Sequence, residues 1–269
     1  IRELVYLCAD GKWDEAQACH DRLSPLMKGL FATTNPILVK EALKLEDDKA
    51  FGRAFTARHG IPTPESFLFT DIKDLEKYLA EKSEEKRYTI KSNAMTPSRV
   101  LLSSSDKSSI IAYARLLFSR GPVLLEDYIN GINVTATLFL DRNGYLLLPL
   151  ASEYTHVSHY EGTPTGGMGA IAPIPLKEER KNEIKERIIE PLLKGMKEEG
   201  ISYKGVMTLS LVISDNGPYL VDFHVRLNDP ATQAMVPIIK TDVMDIMMAM
   251  KEDKLSTLKL ETSSLATVA

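Results

Sequence analysis

The chain has 269 residues, of which 44% are hydrophobic and 26% are charged, a composition typical of a soluble globular protein of one or two domains. Its net charge of −4 argues against a protein that coats nucleic acid, because neutralising phosphates needs an excess of Lys and Arg. No apolar run approaches the ~20 residues that span a bilayer, and the N-terminus lacks a signal-peptide layout, so we expect a cytoplasmic protein.

Residues 1–45 predict a helical segment without strands. Apolar residues recur there at helical spacing, and Pro36 opens a short third helix, since proline suits the first helical turn. The two cysteines, Cys8 and Cys19, fall within this segment. In an intracellular protein they indicate free thiols rather than a disulfide. We expect Trp13 and both cysteines to have packing roles.

The N-terminal sequence resembles a known family. The run DGKWDEAQACHDRLSPLMKGLFATTNPILVKEAL resembles the C-terminal helices of the dihydrodipicolinate synthase family and its aldolase relatives. The segment contains none of the barrel strands where that family keeps its Schiff-base lysine. We therefore expect no aldolase activity, and we interpret Lys40 as a solvated side chain.

From Asp47 onward, helices alternate with strands. Helices are predicted at residues 49–59, 72–82, 108–118 and 177–199 and after Asp242. Strands are predicted for RYTIK, PVLLEDYI, NVTATLFLD, YLLLPLAS, KGVMTLSLVIS and PYLVDFHVRL. A hairpin turn at Asn143-Gly144 joins the third and fourth of these. Helices between groups of antiparallel strands predict an α+β sandwich, which we divide into residues 1–45, 46–128 and 129–269.

Charged residues at two strand ends are candidates for nucleotide binding. Lys91 ends RYTIK just before the polar loop SNAMTPSRV, where its ammonium group can meet a phosphate or simply be solvated. The loop has no glycine, which weakens it as a phosphate cradle, because such cradles need backbone N–H groups close to the anion. Glu126 and Asp127 end an apolar strand, where an acidic pair can bind a nucleobase edge or a ribose, or be solvated.

A third candidate is the segment YLVDFHVRLNDPATQ. In an extended strand, Asp222, His224 and Arg226 project from one face with apolar residues on the other. The carboxylate and the imidazole suit a metal ion, and the guanidinium suits phosphate oxygens. The alternative is a polar outer sheet face. The glycine-rich turn TGGMG, residues 165–169, offers backbone amides that can hold a carboxylate or a phosphate.

Five segments occur in the order of a known enzyme family. They read DKAFGRAFTARHGIPTPES, IKSNAMTPSRV, VLLEDYINGINVTATLFLD, TPTGGMGAIAPIP and DFHVRLNDPATQ. Together they resemble the phosphoribosylamine–glycine ligase family, which has an ATP-grasp fold. The resemblance covers residues 47–269. It implies an ATP-dependent ligase of purine biosynthesis that joins phosphoribosylamine to glycine through glycyl phosphate and releases ADP and phosphate.

The resemblance implies a nucleotide site. It places ATP against Lys49, Lys91, Leu125, Glu126, Tyr128 and Asn133. The two lysines would reach the phosphates, and Glu126 would lie at the adenine-binding hinge with backbone contacts from its neighbours. Asn133 stands where the family has a ribose-binding glutamate.

The resemblance also implies a metal site and a substrate pocket. Asp222 and His224 would ligate Mg²⁺ or Mn²⁺, and Arg226 would contact phosphate with Arg99, the one cation of the shortened loop. The pocket for the small-molecule substrates would be bordered by Thr165, Gly166, Gly167, Met168, Gly169, Asp229, Pro230 and Thr232.

The chain departs from the family pattern in ways that keep a second hypothesis open. The glycine-rich loop is shortened to TPSRV, and Asn133, His224 and Ala231 stand where the family has a glutamate, an asparagine and a glutamate. The family's flanking domains are missing, so a partner chain or further domains would have to supply them. The alternative function is a degenerate, non-catalytic nucleotide-binding domain. A third possibility is a chain joined from two unrelated proteins, whose aldolase-like head only packs.

Overall fold

The structure, a computed structural model, describes residue 7 and residues 9–21, 42, 44–83, 85–93, 101–155, 165 and 167–269. The chain divides into two compact units, Ile1–Lys40 and Glu41–Ala269. In the first unit, residues 13–21 form a helix in which Cys19 is buried and Trp13 is 68% exposed. The prediction that Trp13 packs is therefore wrong. Cys8 and Lys40 lie outside the described residues.

The second unit combines helices with antiparallel strands. Its helices are α1 (Lys49–Arg58), α2 (Ile72–Ala80), α3 (Lys107–Phe118), α4 (Glu178–Ile184), α5 (Glu190–Glu198), α6 (Ala231–Met235) and α7 (Val243–Lys251). Its strands are β1 (Ser66–Phe69), β2 (Tyr88–Ser92), β3 (Leu101–Ser104), β4 (Val123–Asp127), β5 (Ile132–Leu140), β6 (Tyr145–Leu147), β7 (Ser152–Tyr154), β8 (Gly169–Ala172), β9 (Gly205–Ser214), β10 (Gly217–His224) and β11 (Thr267–Val268).

The first sheet has the order β1–β4–β2–β3, with all neighbours antiparallel. Helices α2 and α3 are preceded by the N-cap residues Asp71 and Asp106, whose carboxylates accept hydrogen bonds from backbone N–H groups of the first turn. Apolar residues of both helices and of the central strands form one core: Leu75, Leu79, Ile90, Ile110, Leu117 and Leu125. This arrangement leaves the opposite sheet face free to carry polar groups.

The second sheet has the order β10–β9–β5–β6 and is covered by the long helical segment α4–α5. A π-helical turn at Lys185–Ile189 joins the two helices just before Pro191. Proline has no N–H for the helical ladder, and a widened turn accommodates that loss without breaking the helix. Ile188 and Leu192 are fully buried in the core between helix and sheet.

The two faces of the second sheet differ in polarity. Val134 packs in the core, whereas its neighbour Thr135 points to the other face, because side chains alternate along a strand. Thr135 is opposite Ser210 in the β5–β9 register. The next pair on that face, Thr137 and Thr208, brings two hydroxyl oxygens to 3.1 Å. Hydroxyl-bearing side chains therefore make this face of the second sheet polar.

A third sheet, of order β11–β8–β7, packs against α6 and α7. This smaller core combines small side chains, such as Ala170 and Ala172, with larger ones, such as Met235 and Ile246. Helix α7 begins at Asp242, whose side chain accepts a hydrogen bond from the backbone N–H of Met244.

Most predicted elements are confirmed. All five predicted helices are present, and the hairpin at Asn143-Gly144 pairs Leu140 with Tyr145. Two expectations are wrong: β10 ends at His224, so Arg226 lies beyond it, and part of the predicted TGGMG loop belongs to β8. Strands β1, β3 and β11, most of β7, and helix α6 were not predicted. Within the described part of the chain, no helix is both long and apolar enough to cross a membrane.

Candidate functional site

Three buried charged groups meet between α1 and the first sheet. Arg53 donates from Nε to Glu126 Oε1 at 2.5 Å, and Lys91 donates from Nζ to Glu126 Oε2 at 2.7 Å. Burial opposes ionisation of Glu126, but the two cations outweigh it and hold its pKa below the ordinary value. Both carboxylate oxygens are therefore engaged inside the protein rather than presented to solvent.

A β-bulge in β10 connects this cluster to the second sheet. The pairing register shifts between Leu220 and Asp222, which leaves Val221 as the extra residue. Its carbonyl oxygen accepts hydrogen bonds from Arg53 Nη2 at 2.5 Å and from Lys91 Nζ at 3.1 Å. The bulge thus places a backbone acceptor where two cations from the first sheet and α1 can reach it.

Lys49, the first residue of α1, forms a close ion pair with Asp222 of β10. Its Nζ lies 2.9 Å from Oδ1 and 3.0 Å from Oδ2. Burial opposes ionisation of Asp222, but the neighbouring Lys91 and Lys49 hold its pKa well below the usual range. Burial lowers the pKa of Lys91. The predicted phosphate-binding lysines and the predicted metal-binding carboxylate are thus brought together and neutralise one another.

Glu46 closes the end of β10. Its Oε2 accepts a hydrogen bond from the backbone N–H of Val225 at 2.9 Å, and its Oε1 lies 3.3 Å from His224 Nδ1 and 3.8 Å from Arg226 Nε. Burial opposes ionisation of Glu46, but the His224 and Val225 contacts outweigh it and lower its pKa. The other ring nitrogen of His224, Nε2, lies 3.2 Å from Ser210 Oγ.

The predicted metal ligands lie side by side on the polar face of β10, but each already has protein partners. Both oxygens of Asp222 contact Lys49, and both ring nitrogens of His224 are within hydrogen-bond distance of Ser210 or Glu46. Among the described residues, no group of three or more His, Cys, Asp or Glu side chains could hold a metal ion. A metal here fits only if ligand phosphates supply most of its coordination, which is how Mg²⁺ commonly binds.

The predicted adenine hinge lies on β4 and just after it. Leu125 is fully buried in the middle of the sheet, paired with Phe67 and Ile90. The backbone N–H of Tyr128 donates to Arg87 O at 3.1 Å, and the Arg87 guanidinium lies 4.1 Å from the centre of the Tyr128 ring. These backbone groups have protein partners in this structure, so their adenine contacts remain predictions.

Other predicted nucleotide residues are more open. Asn133 lies in β5 on the same polar face as Thr135. The Arg226 side chain is 59% exposed and so can reach a ligand. Arg99 and the rest of the loop at residues 94–100 lie outside the described residues.

The two predicted substrate segments lie against each other. A Cβ atom added to Gly167 would lie 2.7 Å from Pro230 Cδ, and Gly167 has φ +150°, so glycine is needed for both reasons. Thr165 Oγ1 donates to Thr155 O at 2.8 Å, and Asp229 Oδ1 accepts from Gln233 Nε2 at 2.7 Å.

The remaining predicted substrate residues surround this contact. Met168 is 57% exposed, Gly169 begins β8, and Thr232 donates to Asn228 O at 2.6 Å. Gly166 lies outside the described residues. The two segments that the resemblance assigns to the substrate pocket therefore contact each other. The roles of their residues stay predictions.

Several site residues were missed by the sequence interpretation. Thr135 and Ser210 carried a usable signal, because each is polar between apolar neighbours at period two in its strand. Arg53 and Glu46 had none, since a single charge on a helix, like Arg53, or a run of charges, like residues 46–49, is usually solvated.

The comparisons with known proteins identify the lineage. Residues 47–232 match the family model described as phosphoribosylglycinamide synthetase, ATP-grasp (A) domain. The chain belongs to this family. Residues 1–52 match the dihydrodipicolinate synthetase family model, which confirms the second resemblance.

Relatives of this ATP-grasp family cover much of the chain. A phosphoribosylamine–glycine ligase of Caldanaerobacter subterraneus subsp. tengcongensis is 32% identical over 231 residues, which are 82% of this chain and 55% of the relative. That of Thermococcus gammatolerans is 30% identical over 220 residues, 77% of this chain and 49% of the relative. The chain thus spans about half the length of the curated relatives it matches.

The crystal structure of the Thermotoga maritima phosphoribosylamine–glycine ligase superposes with a TM-score of 0.71 at 24% identity, covering 80% of this chain and 56% of that one. This likeness confirms the predicted α+β ATP-grasp fold.

Proposed function

We propose that the chain is the nucleotide-binding core of an ATP-dependent carboxylate–amine ligase of the phosphoribosylamine–glycine ligase type. The reaction would join glycine to phosphoribosylamine through an acyl phosphate in purine biosynthesis, with release of ADP and phosphate. The protein would act in the cytoplasm, with flanking domains or a partner chain completing the site. The observation that carries the proposal is the convergence of Lys49 of α1 and Lys91 of β2 on Asp222 of β10.

Cation chemistry supports a triphosphate as the ligand. Lys91 contacts Glu126 Oε2 and Val221 O, so its ammonium group, with three donors, keeps one for a phosphate oxygen. Lys49 is bound to Asp222, and a nucleotide would draw it away from that carboxylate. The released carboxylate would then be available to a metal ion bound to the same phosphates. In this proposal the lysine and the carboxylate exchange partners when ATP binds.

The remaining predicted roles fit around that exchange. Residues 46–128 would form the smaller subdomain with the adenine hinge at Glu126, and residues 129–269 the larger one. Arg226 would contact phosphate, and the touching segments 165–169 and 229–233 would border the amino-acid and amine substrates.

The nucleotide assignment predicts a loss of ATP affinity in two lysine variants. Lys49→Ala and Lys91→Ala should each weaken ATP binding by roughly 5- to 100-fold, about 1–3 kcal/mol for a charge-assisted contact. Titration calorimetry measures this effect. Lys181→Ala is the control, because Lys181 lies on α4, pairs with Glu178 and is 36% exposed. Unchanged affinity in both site variants would remove the assignment.

The mixed ligand set predicts a preference among metals. With His224 beside Asp222, Mn²⁺ should stimulate ATP-dependent activity more than Mg²⁺, because Mg²⁺ prefers oxygen ligands and Mn²⁺ accepts imidazole more readily. His224→Asn should reverse the order, which phosphate release in each metal measures. The same order in both proteins would show that His224 is not a ligand.

The non-catalytic alternative is favoured by Asn133, by Ala231 and by the loop without glycine. Phosphate release in the presence of glycine and freshly made phosphoribosylamine separates the two functions. The comparison protein carries a glycine-rich, lysine-bearing loop between Lys91 and Val100. Turnover by the unmodified chain supports the ligase. If the unmodified chain binds ATP without turnover, and the new loop restores turnover, the degenerate domain is supported.

A further inference from the structure

The carboxylate of Glu46 lies among a backbone N–H, an imidazole and a guanidinium at the end of β10. Oε2 accepts from the Val225 N–H at 2.9 Å, and Oε1 faces His224 Nδ1 at 3.3 Å and Arg226 Nε at 3.8 Å. The Glu46 side chain is 10% exposed. A backbone amide, an imidazole and a guanidinium that converge on one point form an anion site. We call these three groups the anion seat.

The occupant of the anion seat comes from a part of the chain outside the ligase-family match. That match begins at residue 47, whereas residues 1–52 match the dihydrodipicolinate synthetase family. Glu46 nevertheless belongs to the compact unit Glu41–Ala269 and contacts its strand end. The predicted nucleotide site is therefore closed by a residue one position before the range that matches the ligase-family model.

The anion seat also links two predicted parts of the nucleotide site. Glu46 precedes Lys49 by three residues, and the seat is formed by the residues that directly follow Asp222 in the sequence. The Glu46 contacts therefore fix the distance between the start of the segment bearing Lys49 and the strand bearing Asp222. They also hold the ring of His224, leaving its Nε2 directed at Ser210.

We propose that Glu46 is a positioning residue of the nucleotide site, which acts by occupying the anion seat of Val225, His224 and Arg226. It contacts no nucleotide itself. It holds the end of β10 so that Asp222 and His224 meet the metal-bound phosphates that Lys49 reaches from the other side. The positioning role rests on the proposed function, whereas the anion seat does not.

The first experiment measures the affinity for ATP with Mn²⁺ in Glu46→Ala and Glu46→Gln. Glu46→Ala should lose about 10-fold or more, the usual effect of removing a partner that orients a metal ligand. Added sodium formate should restore most of the loss, because formate refills the seat, whereas sodium chloride at equal ionic strength should not. Glu46→Gln should lose affinity with no response to formate, because its side chain still fills the seat. Glu178→Ala, at a side chain 79% exposed, is the control.

The second experiment needs no nucleotide. The thermal unfolding midpoint of Glu46→Ala should rise with formate concentration, while the wild-type chain and Glu46→Gln should not respond. If Glu46→Ala does not fold, Glu46→Gln decides: a wild-type affinity for ATP with Mn²⁺ would overturn the positioning role. Absence of a formate response in folded Glu46→Ala would overturn the seat. A wild-type chain that binds no ATP would refute the proposed function, and the formate experiment would still test the seat.

Discussion

Glu126→Gln should destabilise the second unit by about 3–5 kcal/mol, the cost of breaking a buried ion pair by removing one partner. Glu126 is 2% exposed and is the carboxylate shared by Arg53 and Lys91, which are 8% and 7% exposed. Glutamine keeps the shape and one acceptor oxygen but leaves two buried cations without their counter-charge. The free energy of unfolding in urea measures the effect.

Glu76→Gln is the matched control, because Glu76 forms a comparable ion pair at the surface: its Oε1 lies 2.9 Å from Arg115 Nη2, and the Arg115 side chain is 67% exposed. The change there should cost less than about 1 kcal/mol. An equal loss of unfolding free energy in the two variants would show that the buried ion pairs of Glu126 do not stabilise the fold more than a surface pair does.

The Glu126 effect should also depend on pH. Because the folded-state pKa of Glu126 is lowered, its carboxylate contributes stability above its unfolded pKa of about 4.3, and that contribution is lost as the pH falls through the folded value. The difference in unfolding free energy between the wild-type chain and Glu126→Gln should therefore narrow as the pH falls below about 4.

Strand periodicity predicted the polar face of β10 correctly in part. Asp222 and His224 do share a face, as alternation requires. Alternation fails further back, because Leu220 and Phe223 are both buried in the core although they are three residues apart. The bulge at Val221 accounts for this, and a bulge depends on how the partner strand pairs, which a single strand's sequence does not contain.

The contacts that build the site join residues far apart in the chain. Arg53 meets Glu126 across 73 positions, and Glu46 meets Val225 across 179. Arg53 is a lone charge on a helix, Glu46 stands in the charged run of residues 46–49, and Glu126 lies at a strand end. No periodicity marks any of these charges as buried. The strands β1 and β3 were missed for a related reason, because they are four residues long and SFLF and LLSS show no alternation. Family resemblance supplied the predicted site residues, and tertiary pairing determined which of their charges face one another.

Asp222→Asn should separate the two roles that the structure combines in one carboxylate. We expect the stimulation of ATP binding by Mn²⁺ to be lost, because asparagine offers a neutral oxygen in place of the carboxylate. We also expect ATP to bind more tightly without metal. Lys49 would no longer be held by two charge-assisted bonds at 2.9 and 3.0 Å, and a negative charge next to the triphosphate would be gone.

The metal-free gain should reach roughly 10-fold, since a hydrogen bond to a charged group contributes about 1.5–3 kcal/mol and asparagine retains part of it. Calorimetric titration with ATP, once in EDTA and once with Mn²⁺, measures the metal-free affinity and its stimulation by Mn²⁺ for each protein. Asp253→Asn is the control, because its carboxylate pairs with Lys204 at 2.8 Å and is 22% exposed, like Asp222, but lies outside the predicted site, and its metal stimulation should equal that of the wild-type chain. The contrary outcome is an Asp222→Asn chain that binds ATP more weakly by the same factor with and without metal. That result would show that the carboxylate acts only through the fold, and it would refute the exchange of Lys49 between carboxylate and phosphate.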